Sequence, residues 1–588
     1  MTNDDAGRGG GRFRSGIFRF FATASLVVGV LNVTYQELHQ PSGIALVAEN
    51  KFRSSHFRKN IQVADVTNEQ EPPAKVAGVN NNEEPPAKLL PPLRPSGLNC
   101  AEYGGPSKAI AAEMVYWEDV PPSDAQYVSP FHPMHSANEN GHFEEKYISF
   151  EPDRGGFNNI RMSLETVIVL AIATGRTLVL PPEKPMYLLH KGKKDEKKSF
   201  SFLDFFDLQG AAKQYRGFRV ITMDEFLTKE SGRIFDGPPH GETTWGDKPL
   251  GELWMWFRTH SEIPIWSPKE CVAAIPATPR PIDEQLLRTT MDDIMAEKHG
   301  PKPKPEDFTG KPPPINATIE VRLGEILGER ERICLYDRKL QAAPLIHMMD
   351  DKKTKTRLLT HSYTFVFFAD WRMDLYAKRF IRNMVRYNDE FMCAAGRIIE
   401  AVRERARKLD PINNAEGLYD SFHVRRGEFQ YKKTRVDADV LYEKSRDELN
   451  NMGGLLYIAT DERQKQFFAP LSEHYNVTYL DDYMHLIPDI NTNFYGMLDQ
   501  LVASRGRVFF GTFFSSLSGY IHRLRGYHSQ KRKLPGWEDG ALKNSYYFVP
   551  DDRKHHMLSY RSPKLPLYMQ EFGSAWRRID EGIKELGQ

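Results

Sequence analysis

Apolar and polar positions follow two rhythms along this chain. Between Tyr147 and Pro182 an apolar run, YISF, leads through two glycines into a stretch where Ile160, Leu164, Val167, Ile168 and Ala171 recur at helical spacing. A second apolar run, TLVLPP, follows and is stopped by prolines. This predicts a strand, a tight turn, a helix and a second strand. From Gly417 the rhythm is more regular: GLYDSFHV, LLYIATD, VTYL and RVFFG read as strands, separated by the helical patterns VLYEKSRDELNNM, ERQKQFFAPL and FYGMLDQLVAS and followed by SSLSGYIHRLRG. Such alternation predicts an α/β fold with a mostly parallel sheet covered by helices on both faces. Between these halves, YTFVFFADW (Tyr363 to Trp371) predicts a buried strand, and Met373 to Lys408 one or two helices.

The remaining chain reads differently. Residues 187–344 are less regular and are expected as an insertion in the first half, within which PKPKPEDFTGKPPP (Pro301 to Pro314) predicts an exposed loop or insertion. Near the amino terminus, Arg8, Arg12, Arg14 and Arg19 precede FFATASLVVGVLNVTY. This predicts an uncleaved membrane anchor over 16–35 with a cytosolic tail, 1–15; a signal peptide or a buried helix are the alternatives. Residues 36–106 are polar, carry EPPAK twice and predict a disordered Pro-rich stalk. The body then divides into 107–385, 386–545 and a tail, 546–588. This is the layout of a single-pass type II protein with a lumenal body, in the endoplasmic reticulum or Golgi membrane.

Across 588 residues, 79 Lys and Arg face 78 acidic residues. No global field recruits nucleic acid, so a basic site must be local. The four cysteines, Cys100, Cys271, Cys334 and Cys393, allow two disulfides whose pairing spacing does not reveal. Asn316-Ala-Thr318 and Asn476-Val-Thr478 are glycosylation acceptors by letter.

Chemistry concentrates at the carboxyl ends of the predicted strands, where open α/β sheets bind ligands. HVRRGEF places Arg425 and Arg426 directly after an apolar strand. Paired guanidiniums suit a phosphate; the alternative is an ion pair with Glu428 or another acid. Thr460 or Asp461 in IATDE either joins a site or caps a helix. Thr512, Ser515 and Ser516 lie before a helix start, where hydroxyls and exposed amides seat a phosphate or merely cap. Gly155 and Gly156 let a ligand approach the next helix, or serve a tight turn alone.

The motifs GGFNNIR with GRTLVLPP, HVRRGEF, IATDE and LDQLVASRGRVFFGTFFSSLSGYIHRLRG resemble the GDP-fucose protein O-fucosyltransferase family and its wider relatives, over about Tyr147 to Tyr527. The resemblance implies a GT-B-like architecture: two Rossmann-like domains facing a cleft, the second holding the nucleotide sugar. It implies inverting, metal-independent transfer of fucose from GDP-fucose to a protein or glycan hydroxyl, with no cofactor. By motif, Arg425 contacts the nucleotide phosphate and glycosidic oxygen, and Asn158 lies near the reacting sugar; these are the candidate catalytic residues. His423 and Asp499 look like nucleotide contacts, and Ser515 and Ser516 like β-phosphate contacts. Gly155, Gly156, Phe157, Arg426, Asp461 and Thr512 complete the candidate binding set. Some members carry a Glu general base just before GFN; here that residue is Gly155. The alternatives are another nucleotide sugar used on a polysaccharide, or a silent, membrane-tethered binding protein. Asp437-Ala-Asp439 is a D-x-D by letter, but Asp439 reads as a helix cap, so no metal site is expected.

Overall fold

In the computed structural model, residues 97–587 are described, except 138–139, 190–192, 195, 231, 233–245, 267–270, 299–312, 328–329, 352, 355, 359–364, 428–429, 450–453, 549–553 and 557–575. Residues 86–588 form one unit. The expected tail and anchor, and the stalk up to residue 96, lie outside the described residues. Among the described residues no helix is long and apolar enough to cross a membrane.

The predicted opening is present: β1 (Tyr147–Phe150), helix α1 (Phe157–Thr174) and β2 (Thr177–Leu180). Gly175, at φ 63° after the helix, takes the left-handed conformation that closes it and turns the chain into β2. β1 and β2 pair in parallel in a four-stranded sheet, order β5-β2-β1-β8, with β5 (Val220–Thr222) and β8 (Leu345–Met348). A hairpin, β3 (Lys184–Pro185) with β4 (Ser199–Phe200), stands apart.

Residues 187–344 are not an insertion beside the fold. They supply β5, helix α2 (Asp247–His260), helices α3 (Pro281–Lys298) and α4 (Ile319–Leu327), and strands β6 (Cys271–Ile275) and β7 (Arg332–Leu335), which join β9 (Val366–Phe368) in a second parallel sheet, β7-β6-β9. A Cys271–Cys334 disulfide joins β6 to β7, and the strand predicted in YTFVFFADW pairs here rather than beside β1. Residues 301–312 of the expected Pro/Lys loop lie outside the described residues. Helices α5 (Trp371–Met384) and α6 (Asp389–Leu409) lead to the second half.

There the alternation yields β10 (Asp420–Val424), α7 (Ala438–Leu449), β11 (Leu455–Thr460), β12 (Asn476–Thr478), α8 (Tyr495–Ser504), β13 (Phe509–Thr512) and α9 (Ser516–Lys531). Its six-stranded sheet runs β12-β11-β10-β13-β14-β15, parallel up to β14 (Ser545–Phe548), with β15 (Lys554–His556) antiparallel. The segment ERQKQFFAPL forms two short turns of helix, Lys465–Phe468 and Ala469–Ser472.

Two outer boundaries also differ from expectation. The stalk ends earlier than residue 106: Cys100 is buried and disulfide-bonded to Cys393 on α6. Of the expected tail, the described residues are ordered parts of the body: β14 and β15 belong to the sheet, Trp576 and Ile579 are buried, and Arg379 donates to the Ile579 carbonyl at 2.7 Å. Both segments gain order through distant partners rather than their own composition.

α1 explains the joining of the halves. Apart from Asn159, every residue from Phe157 to Thr174 is buried, because the helix packs on β1 and β2, on α5 and on α9. A helix covered on all sides is mostly apolar all round; here the buried Arg161 and Glu165 are paired, and Asn158, Thr166 and Thr174 are hydrogen-bonded.

Candidate functional site

The carboxyl ends of β10, β11 and β13 lie side by side, with Val424 opposite Thr460 and His423 opposite Gly511. Thr512 staples them: its hydroxyl donates to the His423 carbonyl and accepts from the Arg425 amide, both at 2.9 Å. Asp461 shapes the turn after β10, accepting from the amides of Arg426 at 2.7 Å and Gly427 at 3.1 Å. A Cβ at Gly427 would stand 2.5 Å from that carboxylate, so only glycine fits. The same carboxylate lies 3.2 Å from the Arg425 guanidinium.

Asp461 is thus a holder of Arg425 rather than a helix cap, and Thr460 donates to the Val424 carbonyl at 2.7 Å. Both arginines lie just past the end of β10 and both pair with acids, Arg425 with Asp461 and Arg426 with others. Arg426 lies over the Phe467 ring at 3.8 Å and pairs with Glu462 at 3.3 Å and Asp437 at 3.5 Å. That is the structural ion pair weighed from sequence, made with other acids; Glu428 lies outside the described residues. Asp437 of the D-x-D is therefore a partner of Arg426, while Asp439 sits inside the first turn of α7 instead of capping it.

α9 begins beside this loop. Ser515 precedes it without a side-chain cap hydrogen bond, so the amides of the first turn face outward, where the helix end favours an anion. Phe514 just before it has φ 61°, a conformation that costs a non-glycine residue energy and clusters at ligand sites. Its ring stacks on Tyr431 at 5.0 Å. The His423 ring is buried, with Nδ1 2.6 Å from the Ser518 hydroxyl, and burial lowers its pKa to about 3, so it stays neutral. Gly511 has no room for a Cβ, which would lie 2.7 Å from that of Ser518. Asp499 on α8 accepts from the Tyr457 hydroxyl at 2.6 Å, and burial pushes it up to about 7.

At the other wall stand Gly155 and Gly156. A Cβ at Gly155 would collide with the Asn159 side chain and lie 2.8 Å from Asp153 Oδ1, which already accepts from the Gly155 amide at 2.7 Å. A side chain before GFN would therefore have to displace those of Asn159 and Asp153. Gly156 is open, its nearest neighbour being Leu188 at 3.9 Å. Phe157 packs on Phe205 at 4.5 Å, and Asn158 accepts from Gln500 at 2.8 Å. Asp153 also takes a two-pronged ion pair from Arg357, with one contact at 2.8 Å.

Sequence reasoning thus missed Asp153, Asp350, Arg357, Gln500, Ser518 and Phe514. Three of these, Gln500, Phe514 and Ser518, lie inside the quoted LDQLVASRGRVFFGTFFSSLSGYIHRLRG, and Asp153 stands two residues before GGFNNIR. Proximity to a glycine turn or a helix start is the signal that could have found them.

Parallel sheets with an arginine and an uncapped helix end at one strand edge define an α/β protein built to receive an anion. Residues 147–528 match the family described as GDP-fucose protein O-fucosyltransferase, and the chain belongs to that family and is a glycosyltransferase. No curated protein matches it. Among solved structures, POFUT1 in complex with GDP is 14% identical, with 69% of this chain and 98% of that one covered and a TM-score of 0.30. Fucosyltransferase NodZ from Bradyrhizobium is 14% identical, covering 71% and 99% at 0.31. A mutant of Arabidopsis thaliana FUT1 in complex with GDP is 10% identical, covering 72% and 74% at 0.30.

Proposed function

We propose that this chain transfers fucose from GDP-fucose to a protein or glycan hydroxyl, with inversion and without a metal. The observation that carries the reading is Arg425, held by Asp461 and Thr512 beside the uncapped amino end of α9. As the sugar leaves, negative charge grows on the β-phosphate. A fixed guanidinium and aligned amides there stabilise the transition state more than the bound donor. His423, Asp499, Thr512, Ser515 and Ser516 would hold the nucleotide, with Gly156, Phe157 and Asn158 on the sugar side, in two Rossmann-like halves. Arg426 and Asp461 act through the loop they brace.

The crowded Gly155 favours a second reading, a silent family member that binds donor without turning it over. Thermal unfolding with GDP, GDP-fucose and UDP-sugars, with and without chelator, tests the donor assignment. A ligand at 100 times its dissociation constant adds about 2.7 kcal/mol. Stabilisation by the GDP compounds that survives chelator is expected; an equal response to UDP-sugars contradicts it.

The two disulfides support a lumenal body, since such bonds persist in oxidising compartments. With an anchor at 16–35, the full chain stays in the membrane pellet after alkaline extraction; recovery in the supernatant contradicts the type II arrangement.

A further inference from the structure

The position before GFN is crowded, yet a carboxylate stands beside it. β8 pairs with β1 from Tyr147↔Leu345 to Phe150↔Met348, so Asp350 leaves the sheet at the same edge as Asp153 and Arg154. The Arg154 guanidinium lies 3.4 Å from the Asp350 carboxylate and also donates to its carbonyl at 3.2 Å. The Arg154 side chain is 65% exposed and that of Asp350 11%, so the cation paired with this buried carboxylate faces solvent. Asp153 is otherwise engaged, by Arg357 and the Gly155 amide. The turn that carries Asp153 and Arg154 leads straight into α1, whose Asn158 accepts from Gln500, the neighbour of Asp499 on α8. The acidic pair therefore stands on the GFN side, the side that meets the second half.

We propose that Asp350 is the general base that activates the acceptor, in place of the carboxylate the family can carry before GFN. The inference rests on the GDP-fucose reading above. The acceptor O–H proton passes to Asp350 as the oxygen bonds to the fucose anomeric carbon. The bond from that carbon to the β-phosphate oxygen breaks, its electron pair leaving with GDP, and Asp350 returns the proton to solvent. Asp153 and Arg357 are positioning residues. Burial, with Asp153 and then Glu151 adding to it, pushes Asp350 up to about 6 against Arg154 and Arg357. Glu151 is itself paired with Arg258 and His347. A base titrating near working pH is well matched to its task.

The test uses the full chain, water as acceptor and GDP release from GDP-fucose as readout. The parent should show an acid limb near pH 6. Asp350→Asn should lose the limb and about 10²–10⁴-fold in rate. It should keep the melting shift given by GDP, and should melt no lower than the parent above pH 6, because its raised pKa makes the ionised form costly there. Azide has no proton to lose, so its fucosylation should proceed in the variant as in the parent. Asp350→Ala gives the same comparison if the amide variant misfolds. Parental hydrolysis in the variant, or an equal fall for water and azide, overturns the inference. A parent that neither responds to GDP nor consumes GDP-fucose overturns the donor reading, and this inference with it.

Discussion

Asn158 accepts a 2.8 Å hydrogen bond from the Gln500 amide, and the Gln500 carbonyl accepts from the Tyr387 hydroxyl at 2.7 Å. All three are buried, so the first turn of α1 is tied to α8 through groups that water cannot replace. Leaving a buried polar group without its partner costs about 1–3 kcal/mol. Gln500→Leu orphans the Asn158 carbonyl and the Tyr387 hydroxyl together. Its unfolding free energy should fall by at least about 1 kcal/mol, read as a lower urea midpoint at unchanged m, and donor turnover should fall beyond the loss of folded protein, because Asn158 lies two residues from the open Gly156. An unchanged midpoint would mean that this link does not hold the two helices.

A second link is ionic. Glu165 on α1 receives Arg161 at 2.7 Å and two contacts from Arg523 on α9, at 2.8 and 2.6 Å, all buried. Burial raises the Glu165 pKa, but the two arginines outweigh it and the net shift is downward from 4.5. Removing one partner of a buried ion pair costs about 3–5 kcal/mol, so Glu165→Gln should destabilise by that order. A depressed carboxylate contributes stability that is present above its unfolded pKa and lost as pH falls through the folded value. The parent should therefore lose stability below about pH 4, and Glu165→Gln should lose less over the same window. Equal acid slopes in chemical denaturation would remove the triad from the account.

Much of the second half is legible in its sequence because each strand and helix there carries its own period and its partners follow within a few tens of residues. Residues 187–344 are not, because β5 and β6 find partners in β2 and β9 that no local pattern names. The disulfides, the order of Trp576 and the meeting of Asp153 with Asp350 likewise depend on contacts between distant segments. Gly155 looked like an opening for a ligand; its glycine is favoured instead by the crowding of Asn159 and Asp153, and Gly156 is the open one.

The central claim is that Arg425 meets charge that develops as the sugar leaves, while Arg426 braces the loop. The most direct measurement is GDP release from GDP-fucose, with melting temperature alongside, for the parent, Arg425→Ala, Arg425→Lys and Arg426→Ala. Losing one preorganised transition-state donor costs about 10²–10³-fold in turnover, roughly 2.7–4 kcal/mol. Arg425→Ala should lose at least that while staying folded, and Arg425→Lys should recover little, because a point charge cannot reproduce a forked contact. Arg426→Ala, which strips partners from Glu462 and Asp437, should lose more stability than chemistry. Parental turnover by Arg425→Ala would contradict the account.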